Sequence, residues 1–241
     1  MKTISNAANS PKHCDDHPNL QTTLMDIYHR MEDAFGDRGW WPASSTEEII
    51  IGAILVQNVS WSNTVKAVER LNDHGLLTFP ALAAASVDDI EACVYSTRFY
   101  KTKAKKLKAF ATHVMTHHKG RIDAMLAQPM APLRAELLQI YGIGPETADD
   151  ILLYAANQAS FVIDAYTKRI FYRLGLTPAD ISYESMRAWF MANLPADVSL
   201  FNQYHALLDA VGHHFCSTKR PKCEACPLRS KCLVAQGKLV I

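Results

Sequence analysis

Apolar residues recur at intervals of three and four positions along most of the chain, and strictly alternating stretches are few. That interval is the period of an amphipathic helix, so the pattern predicts an all-α protein. Ser45 and Glu48 have the spacing of a capping box just before an apolar segment, which predicts a buried helix that ends near Gln57. Further helices are predicted to begin at Asn63, Ser86, Lys103, Ile122 and Ala131, and to span Pro145–Ala156, Tyr166–Leu174, Ser182–Asn193 and Leu200–Phe215.

The composition is typical of a globular protein. The 241 residues are 49% hydrophobic and 20% charged, which suffices for one large core or two small ones and excludes disordered or collagen-like classes. The longest apolar run, residues 49–56, is far shorter than the roughly 20 residues that span a bilayer. Residues 1–20 are polar and lack the apolar stretch of a secretory signal. We therefore expect a disordered tail there, no membrane partner and a cytoplasmic location.

Charge is unevenly distributed along the chain. The net charge is only +1, so no overall field attracts the protein to nucleic acid. Residues 162–241, however, hold ten Lys or Arg against six Asp or Glu, which makes the C-terminal third locally basic. A second basic cluster, Lys101–Lys108, is expected to be a solvent-exposed helix face.

Four of the six cysteines fall within 17 residues, as Cys216, Cys223, Cys226 and Cys232. Without an export signal disulfides are disfavoured, so the cluster predicts a metal site. Only one pair has the short spacing of a zinc knuckle, which favours a 4Fe-4S cluster, with zinc or unligated thiols as alternatives. The basic residues Lys219, Arg220 and Lys222 lie between the ligands. They suit phosphate contacts, or they offset the negative ligands.

A glycine hairpin lies between two predicted helices. Gly142 and Gly144 permit positive φ and a close backbone approach, and Pro145 suits the first turn of the next helix. Free backbone amides at such a helix start can hold a phosphate, although a plain turn between helices has the same sequence. Asp164 follows about twenty residues later, after an amphipathic helix, and opens another helix.

The hairpin, Asp164 and the four-cysteine loop, in this order, resemble the helix-hairpin-helix DNA glycosylases of the endonuclease III superfamily. The resemblance covers roughly residues 43–232, and the cysteine spacing is its most specific element. It implies a 4Fe-4S cofactor, duplex DNA with a damaged base as the partner, and a monomer. It also implies two helical domains around a cleft: a six-helix domain (residues 44–160) and a cluster domain (residues 21–43 and 161–241).

The resemblance assigns expected roles to single residues. Asp164 is expected to stabilise the sugar cation or activate water while also capping its helix. Gln57 resembles the side chain that fills the gap left by an extruded base, with Asn58 in support, although ordinary helix capping is the alternative.

One departure from the family pattern bears on the reaction. Lyase-competent members have lysine where this chain has Glu146, and a carboxylate forms no Schiff base. A first-turn acid stabilised by the helix dipole is the plainer interpretation of Glu146. Lys168 is the nearby amine that is a candidate substitute for the lysine, but contact with solvent or phosphate is the preferred interpretation. The sequence thus resembles the monofunctional branch, which removes a base without cleaving the DNA backbone.

The segment Trp40-Trp41-Pro42 resembles the pocket of a 3-methyladenine glycosylase subgroup that also has Glu at the hairpin position. Adjacent aromatic rings can hold a flipped base and favour an alkylated, cationic purine. The alternative is that the two Trp anchor the N-terminal segment on the core. Three other functions remain open: a bifunctional glycosylase with lyase activity, a thymine or uracil mismatch glycosylase, and a non-catalytic DNA-binding module.

Overall fold

The computed structural model describes residues 20–240, and this part of the chain contains helices and turns but no β-strand. The prediction of an all-α fold is confirmed. The predicted tail lies outside the described residues except for Leu20, where the first helix begins. The helices are α1 (Leu20–Phe35), α2 (Thr46–Leu55), α3 (Trp61–Asp73), α4 (Phe79–Ala84), α5 (Val87–Val94), α6 (Tyr100–His118), α7 (Ile122–Leu126), α8 (Met130–Leu137), α9 (Pro145–Asp150), α10 (Ala165–Leu174), α11 (Tyr183–Asn193) and α12 (Val198–His214).

Most predicted helix starts lie within three residues of the observed ones. Ser45 caps α2 as expected, because its side chain accepts a hydrogen bond from the amide of Glu48 at 3.1 Å. Two details differ: α1 and α4 were not predicted, and α9 continues as a π-helix over Ile151–Ala155. Short π segments inside helices frequently accompany functional sites, because they shift the side chains that follow by part of a turn.

Two hydrophobic cores organise these helices. The first is formed by α2 to α8 and α9, with fully buried side chains such as Ile54, Phe110 and Leu137. The second is formed by α1, α10, α11 and α12, and it includes Phe161, Phe190 and Tyr204. We propose that these cores correspond to the six-helix domain and the cluster domain. Within residues 20–240, no helix combines the length and the hydropathy needed to cross a bilayer.

Asp149, on α9, connects the two cores through a buried ionic network. Its fully buried carboxylate accepts two hydrogen bonds of 2.9 Å from Arg134 on α8 and one of 2.9 Å from the hydroxyl of Tyr183 on α11. It also pairs with Arg187 at 3.0 Å and accepts a hydrogen bond from the hydroxyl of Ser160. One side chain thus joins the helix after the hairpin to the segment that leads to Asp164.

The lysine-rich segment is not a plain solvated face, so that expectation was wrong. Lys103 is 2% exposed and donates to the carbonyl of Leu55 at 2.7 Å, which ties α6 to the end of α2. Lys108 donates to the carbonyls of Ala83 and Ala85 at the C-terminal end of α4. Flexible lysine stems reach past apolar surface to place the ammonium on carbonyl groups that lack helical partners.

We predict that Asp149→Asn lowers the free energy of unfolding by about 3 kcal/mol, because the partly buried Arg187 loses its anionic partner and Arg134 keeps only the exposed Glu184. Urea unfolding followed by circular dichroism measures this change. Asp180→Asn is the control, since Asp180 is exposed and belongs to no ion pair among the described residues. Equal stability of the two variants would contradict the proposed importance of the network.

Candidate active site

The glycine hairpin precedes α9 and approaches the side chain of Lys106. Gly142 has φ of 86°, and a Cβ there would lie 2.2 Å from the Lys106 side chain, so both the conformation and the space require glycine. Gly144 does not use the positive φ that glycine permits: its φ is −93°, and it acts as the N-cap of α9. Its lack of a side chain leaves the start of α9 open to solvent.

Gln57 is held against this hairpin. Its amide group donates to the hydroxyl of Thr147 at 2.8 Å and to the carbonyl of Gly142 at 3.4 Å, while its carbonyl oxygen accepts from Lys106. Asn58, next to it, has a left-handed φ of 56° and lines the same cleft. The predicted gap-filling residue therefore lies at the cleft, but in this structure it bridges α6 and the hairpin.

Asp164 caps α10 and presents a free carboxylate oxygen. Its Oδ1 accepts hydrogen bonds from both the amide and the hydroxyl of Thr167, each at 2.6 Å. No group within residues 20–240 forms a hydrogen bond with Oδ2. Fixing one oxygen in this way orients the other, which suits a carboxylate that must face a developing positive charge.

Two adjoining spaces meet at Asp164. The outer cleft has a volume of about 750 Å³, and the inner cavity has a volume of about 170 Å³. Glu146 and Asp164 line both spaces, so they stand where the two join. The outer cleft is otherwise lined by hairpin residues 142–145, Gln57, Asn58, Lys106, Thr147, Ala165 and Tyr183. The inner cavity is otherwise lined by Trp40, Trp41, Val56, Val59, Asp150, His205, Ala206 and Asp209.

The inner cavity is rich in carboxyl groups, and no lysine or arginine in the described part of the chain lines it. Glu146 is accessible through the outer cleft, but the surrounding walls desolvate it and, together with the nearby Asp164, raise its pKa to about 7, an effect that Lys168 opposes. Burial and three neighbouring carboxylates raise the pKa of Asp150 well above its ordinary value. Desolvation also raises the pKa of Asp209, an effect that His205 opposes. The cavity is thus an unfavourable place for anions and a favourable one for a cation.

The two tryptophans form the aromatic wall of the inner cavity. The rings of Trp40 and Trp41 lie 5.2 Å apart, and Trp61 packs at 4.7 Å from Trp40. Trp41 is further supported by Tyr154 at 5.3 Å and by Gly52, where any Cβ would lie 3.1 Å from the indole. The structure does not bring every predicted pocket residue here: Pro42 lines a separate space with Glu69, and Lys168 lines neither the inner cavity nor the outer cleft.

The four clustered cysteines converge as well. Cys216, Cys223, Cys226 and Cys232 line one small space and form no disulfide. Arg173, which is only 4% exposed, donates to the sulfur of Cys216 at 3.2 Å and to the carbonyls of Ser217 and Thr218. Its guanidinium has no carboxylate partner among the described residues, so an anionic centre at the sulfurs fits this buried cation. An all-sulfur donor set fits either 4Fe-4S or zinc.

The basic residues of the cysteine loop are directed to solvent. Lys219, Arg220 and Lys222 are exposed, and within residues 20–240 none has a carboxylate partner within 4.0 Å. Arg229 pairs with Glu224 at 2.8 Å, and Lys231 pairs with Asp26 at 3.0 Å. The first three cations therefore remain available for phosphate groups.

Several residues at the site escaped the sequence analysis. Lys106 was grouped with an exposed lysine face, and Tyr183, Asp150 and Asp209 carried no motif. Asp150 had a usable sequence clue, because it lies four positions after Glu146 and therefore on the same face of the helix. Asp209 comes from α12, and no local pattern shows that α12 reaches the cavity.

An all-α chain in which a glycine hairpin and a helix-capping aspartate meet at a cavity beside two cores has the architecture of a helix-hairpin-helix DNA repair enzyme. The family model described as HhH-GPD superfamily base excision DNA repair protein matches residues 51–196. The chain belongs to this superfamily. It is a base excision repair DNA glycosylase.

Similar proteins agree with this assignment. The chain is 39% identical over 212 residues to a protein of Methanocaldococcus jannaschii whose name provisionally assigns it to DNA repair glycosylases, covering 87% of this chain and 96% of that one. The fold is similar to endonuclease III in a trapped covalent complex with DNA, with a TM-score of 0.78 at 20% identity over 90% of this chain and 98% of that one. It is also similar to the H. pylori 3-methyladenine DNA glycosylase bound to 1,N6-ethenoadenine, with a TM-score of 0.69 at 21% identity over 79% of this chain and 95% of that one.

We predict that Cys226→Ala disrupts the C-terminal part of the second core, because the loop of residues 216–232 has little apolar packing apart from Leu228, which is 2% exposed. Limited proteolysis detects the loosened loop, and if the four cysteines hold a 4Fe-4S cluster, its absorption near ~400 nm is lost in the variant. Cys93→Ala is the matched control, because Cys93 is buried in the other core. A Cys226→Ala protein with unchanged protease resistance and full activity would contradict the prediction.

Proposed function

We propose that the protein is a monofunctional glycosylase that flips an alkylated, cationic purine such as 3-methyladenine into the inner cavity and hydrolyses its N-glycosidic bond. The observation that carries this proposal is the lining of the inner cavity, where two Trp rings face four carboxyl groups without a lysine or arginine among them. Aromatic faces favour a cationic base over a neutral one, and no lysine or arginine of residues 20–240 lines the inner cavity to repel it.

The reaction follows from where the carboxyl groups stand. When the bond between C1′ and the base nitrogen breaks, its electron pair leaves with the base, and a cationic purine departs as a neutral molecule without needing a proton. The sugar becomes an oxocarbenium ion beside Oδ2 of Asp164, which stabilises it. Water then adds to C1′ and gives a proton to the carboxylate, which yields an abasic sugar and the free base.

Glu146 supports the monofunctional assignment. It occupies the mouth of the inner cavity, and a carboxyl group there forms no imine with C1′. Lys106 lines the outer cleft but is hydrogen bonded to Gln57, and Lys168 lines neither space.

DNA is gripped, in this proposal, by the hairpin amides and by the cations of the cysteine loop. The amides of Gly144 and Glu146 have no backbone partner within the described residues and lie at a helix start, where a phosphate is stabilised. Lys219, Arg220 and Lys222 add sequence-independent phosphate contacts.

A 4Fe-4S cluster, when bound by the four cysteines, supplies a structural crosslink that fixes the cysteine loop. The site is completed within one chain, which agrees with a monomer, and the cytoplasmic location stays a prediction.

Each of the three alternative functions would give a different product. A bifunctional enzyme nicks the strand, a mismatch enzyme releases thymine or uracil, and a binding module releases nothing. Duplexes that carry alkylated, oxidised, deaminated and mismatched bases, with free base and strand nicks scored separately, distinguish these possibilities. Release of 3-methyladenine without nicks is the expected result, and release only from mismatches would overturn the proposed substrate.

We predict that Asp164→Asn lowers base release at least about 1000-fold, because the charge facing the sugar cation is lost while an amide oxygen can still cap α10. Single-turnover assays measure the rate, and gel-shift assays should show unchanged DNA affinity. Asp197→Asn is the matched control, since Asp197 caps α12 through the amide of Leu200 at 2.7 Å and lies outside both spaces. Substantial turnover by Asp164→Asn would refute the role of Asp164.

We predict that borohydride traps no covalent adduct between the native protein and a duplex from which the protein has released a base. Glu146 cannot form the imine that borohydride reduces, and neither nearby lysine lines the inner cavity. Denaturing gels detect an adduct as a slower band, with a lyase-active endonuclease III as the positive control. An adduct in the native protein that disappears in Lys106→Gln or Lys168→Gln would show that another amine acts as the nucleophile.

A further inference from the structure

Asp150 is a buried acid with no hydrogen-bond partner in the described part of the chain. It is 5% exposed and lines the inner cavity but not the outer cleft. Its neighbour Asp149 accepts hydrogen bonds from several side chains, whereas none reaches Asp150. Its side chain lines the inner cavity, so its carboxyl oxygens depend on the contents of that cavity for a hydrogen-bond partner. A ligand in the inner cavity provides one.

The charges around Asp150 are almost all of its own sign. On its own helix lie Glu146 and Asp149, and Asp164 approaches from α10. Tyr154 follows one turn later, and α12 contributes His205 and Asp209 to the same cavity. Asp149 is already neutralised by its arginines, and neither lysine nor arginine lines the cavity. Burial together with nearby carboxylates favours the protonated form of Asp150, and its raised pKa agrees with this conclusion.

A protonated carboxyl group presents one donor and one acceptor on the same carbon, as an asparagine amide does. Asparagine reads adenine by a bidentate contact with the N6 amino group and the N7 acceptor. Methylation at N3 of adenine leaves this edge intact. On the corresponding edge, 7-methylguanine presents the O6 acceptor next to a blocked N7, so this edge offers no matching donor and acceptor pair.

We propose that Asp150 is the residue that reads the edge of the extruded base, that it does so as a neutral carboxylic acid, and that it selects adenine-type over guanine-type alkylated bases. This inference rests on the proposed function, since it requires a base in the inner cavity. It adds a specificity-determining residue to that function and leaves the bond-breaking role with Asp164.

Duplex DNA treated with dimethyl sulfate tests the inference, because it contains both 3-methyladenine and 7-methylguanine. The holoprotein is incubated with this DNA, and both free bases are quantified by chromatography. Asp150→Leu is expected to lower the ratio of released 3-methyladenine to 7-methylguanine at least about 10-fold, the scale of one bidentate base contact. Asp150→Asn, which keeps the donor and acceptor, is expected to retain the ratio within about 3-fold.

The pH dependence supplies a second measurement. The native rate of 3-methyladenine release should fall relative to Asp150→Asn as the pH rises, because only the native acid loses its proton. Glu146 titrates in both proteins, so the ratio of the two rates isolates Asp150. Affinity for a duplex with a tetrahydrofuran abasic analogue should be the same for all three proteins, since Asp150 does not reach the outer cleft.

The outcomes separate the two proposals. Release of neither base by the native protein would refute the proposed function and this inference with it. Release by the native protein with an unchanged base ratio in Asp150→Leu would overturn the inference alone. An Asp150→Asn protein as impaired as Asp150→Leu would show that Asp150 acts as a carboxylate, which also overturns the inference. Melting curves show whether each variant is folded, and Asp150→Asn should melt at a higher temperature than the native protein at pH 8.

Discussion

The buried carboxylate of Asp149 is the constraint on which the geometry of the site depends. Asp149 and Asp150 are adjacent on α9, so whatever fixes Asp149 also fixes the helix that carries Glu146 and Asp150 into the site. The same carboxylate binds Tyr183 and Ser160, which flank the segment that leads to Asp164. Tyr183 in turn approaches the amide of Ile163 at 3.5 Å. The carboxylate for which we propose the catalytic role is thereby held in register with the hairpin helix of the other core, and such positioning is a major source of catalytic power.

The buried network fixes the positions of the helices more than it contributes to the free energy of folding. Desolvating a carboxylate and two partly buried guanidinium groups consumes most of the attraction between them. Apolar side chains of similar volume would hold the two cores together about as well. They would not fix the rotation of α9, whereas several directional hydrogen bonds to one carboxylate do. The network therefore contributes mainly a unique arrangement of the elements that surround the inner cavity.

The fold and the chemical residues were largely predictable, and their spatial combination was not. Helical periodicity gave the helices, and the hairpin, Asp164 and the cysteines could be recognised because each is a short local pattern. Gly144 shows the limit of a local rule, since glycine permits a positive φ without requiring one. Lys103 and Lys106 were misjudged because lysine side chains are exposed on average. Only the folded structure shows that the ammonium group of Lys103 donates to a carbonyl and that of Lys106 to Gln57. Asp209 joins the site through tertiary packing, which no sequence spacing encodes.

In the proposed reaction, the positions of the carboxyl groups determine at which stage the positive charge is stabilised most. A cationic base carries its charge into the inner cavity, and bond cleavage moves that charge onto the sugar. Groups that stabilise the charge equally in both places would strengthen binding without increasing the rate. Asp164 stands where the inner cavity meets the outer cleft, near the sugar, whereas Asp150 lies only in the inner cavity. The carboxylate of Asp164 and a neutral Asp150 therefore stabilise the cation on the sugar more than they stabilise the cationic base before cleavage. A neutral Asp150 thus reads the base without holding its charge in place, so selection of the base does not oppose its release.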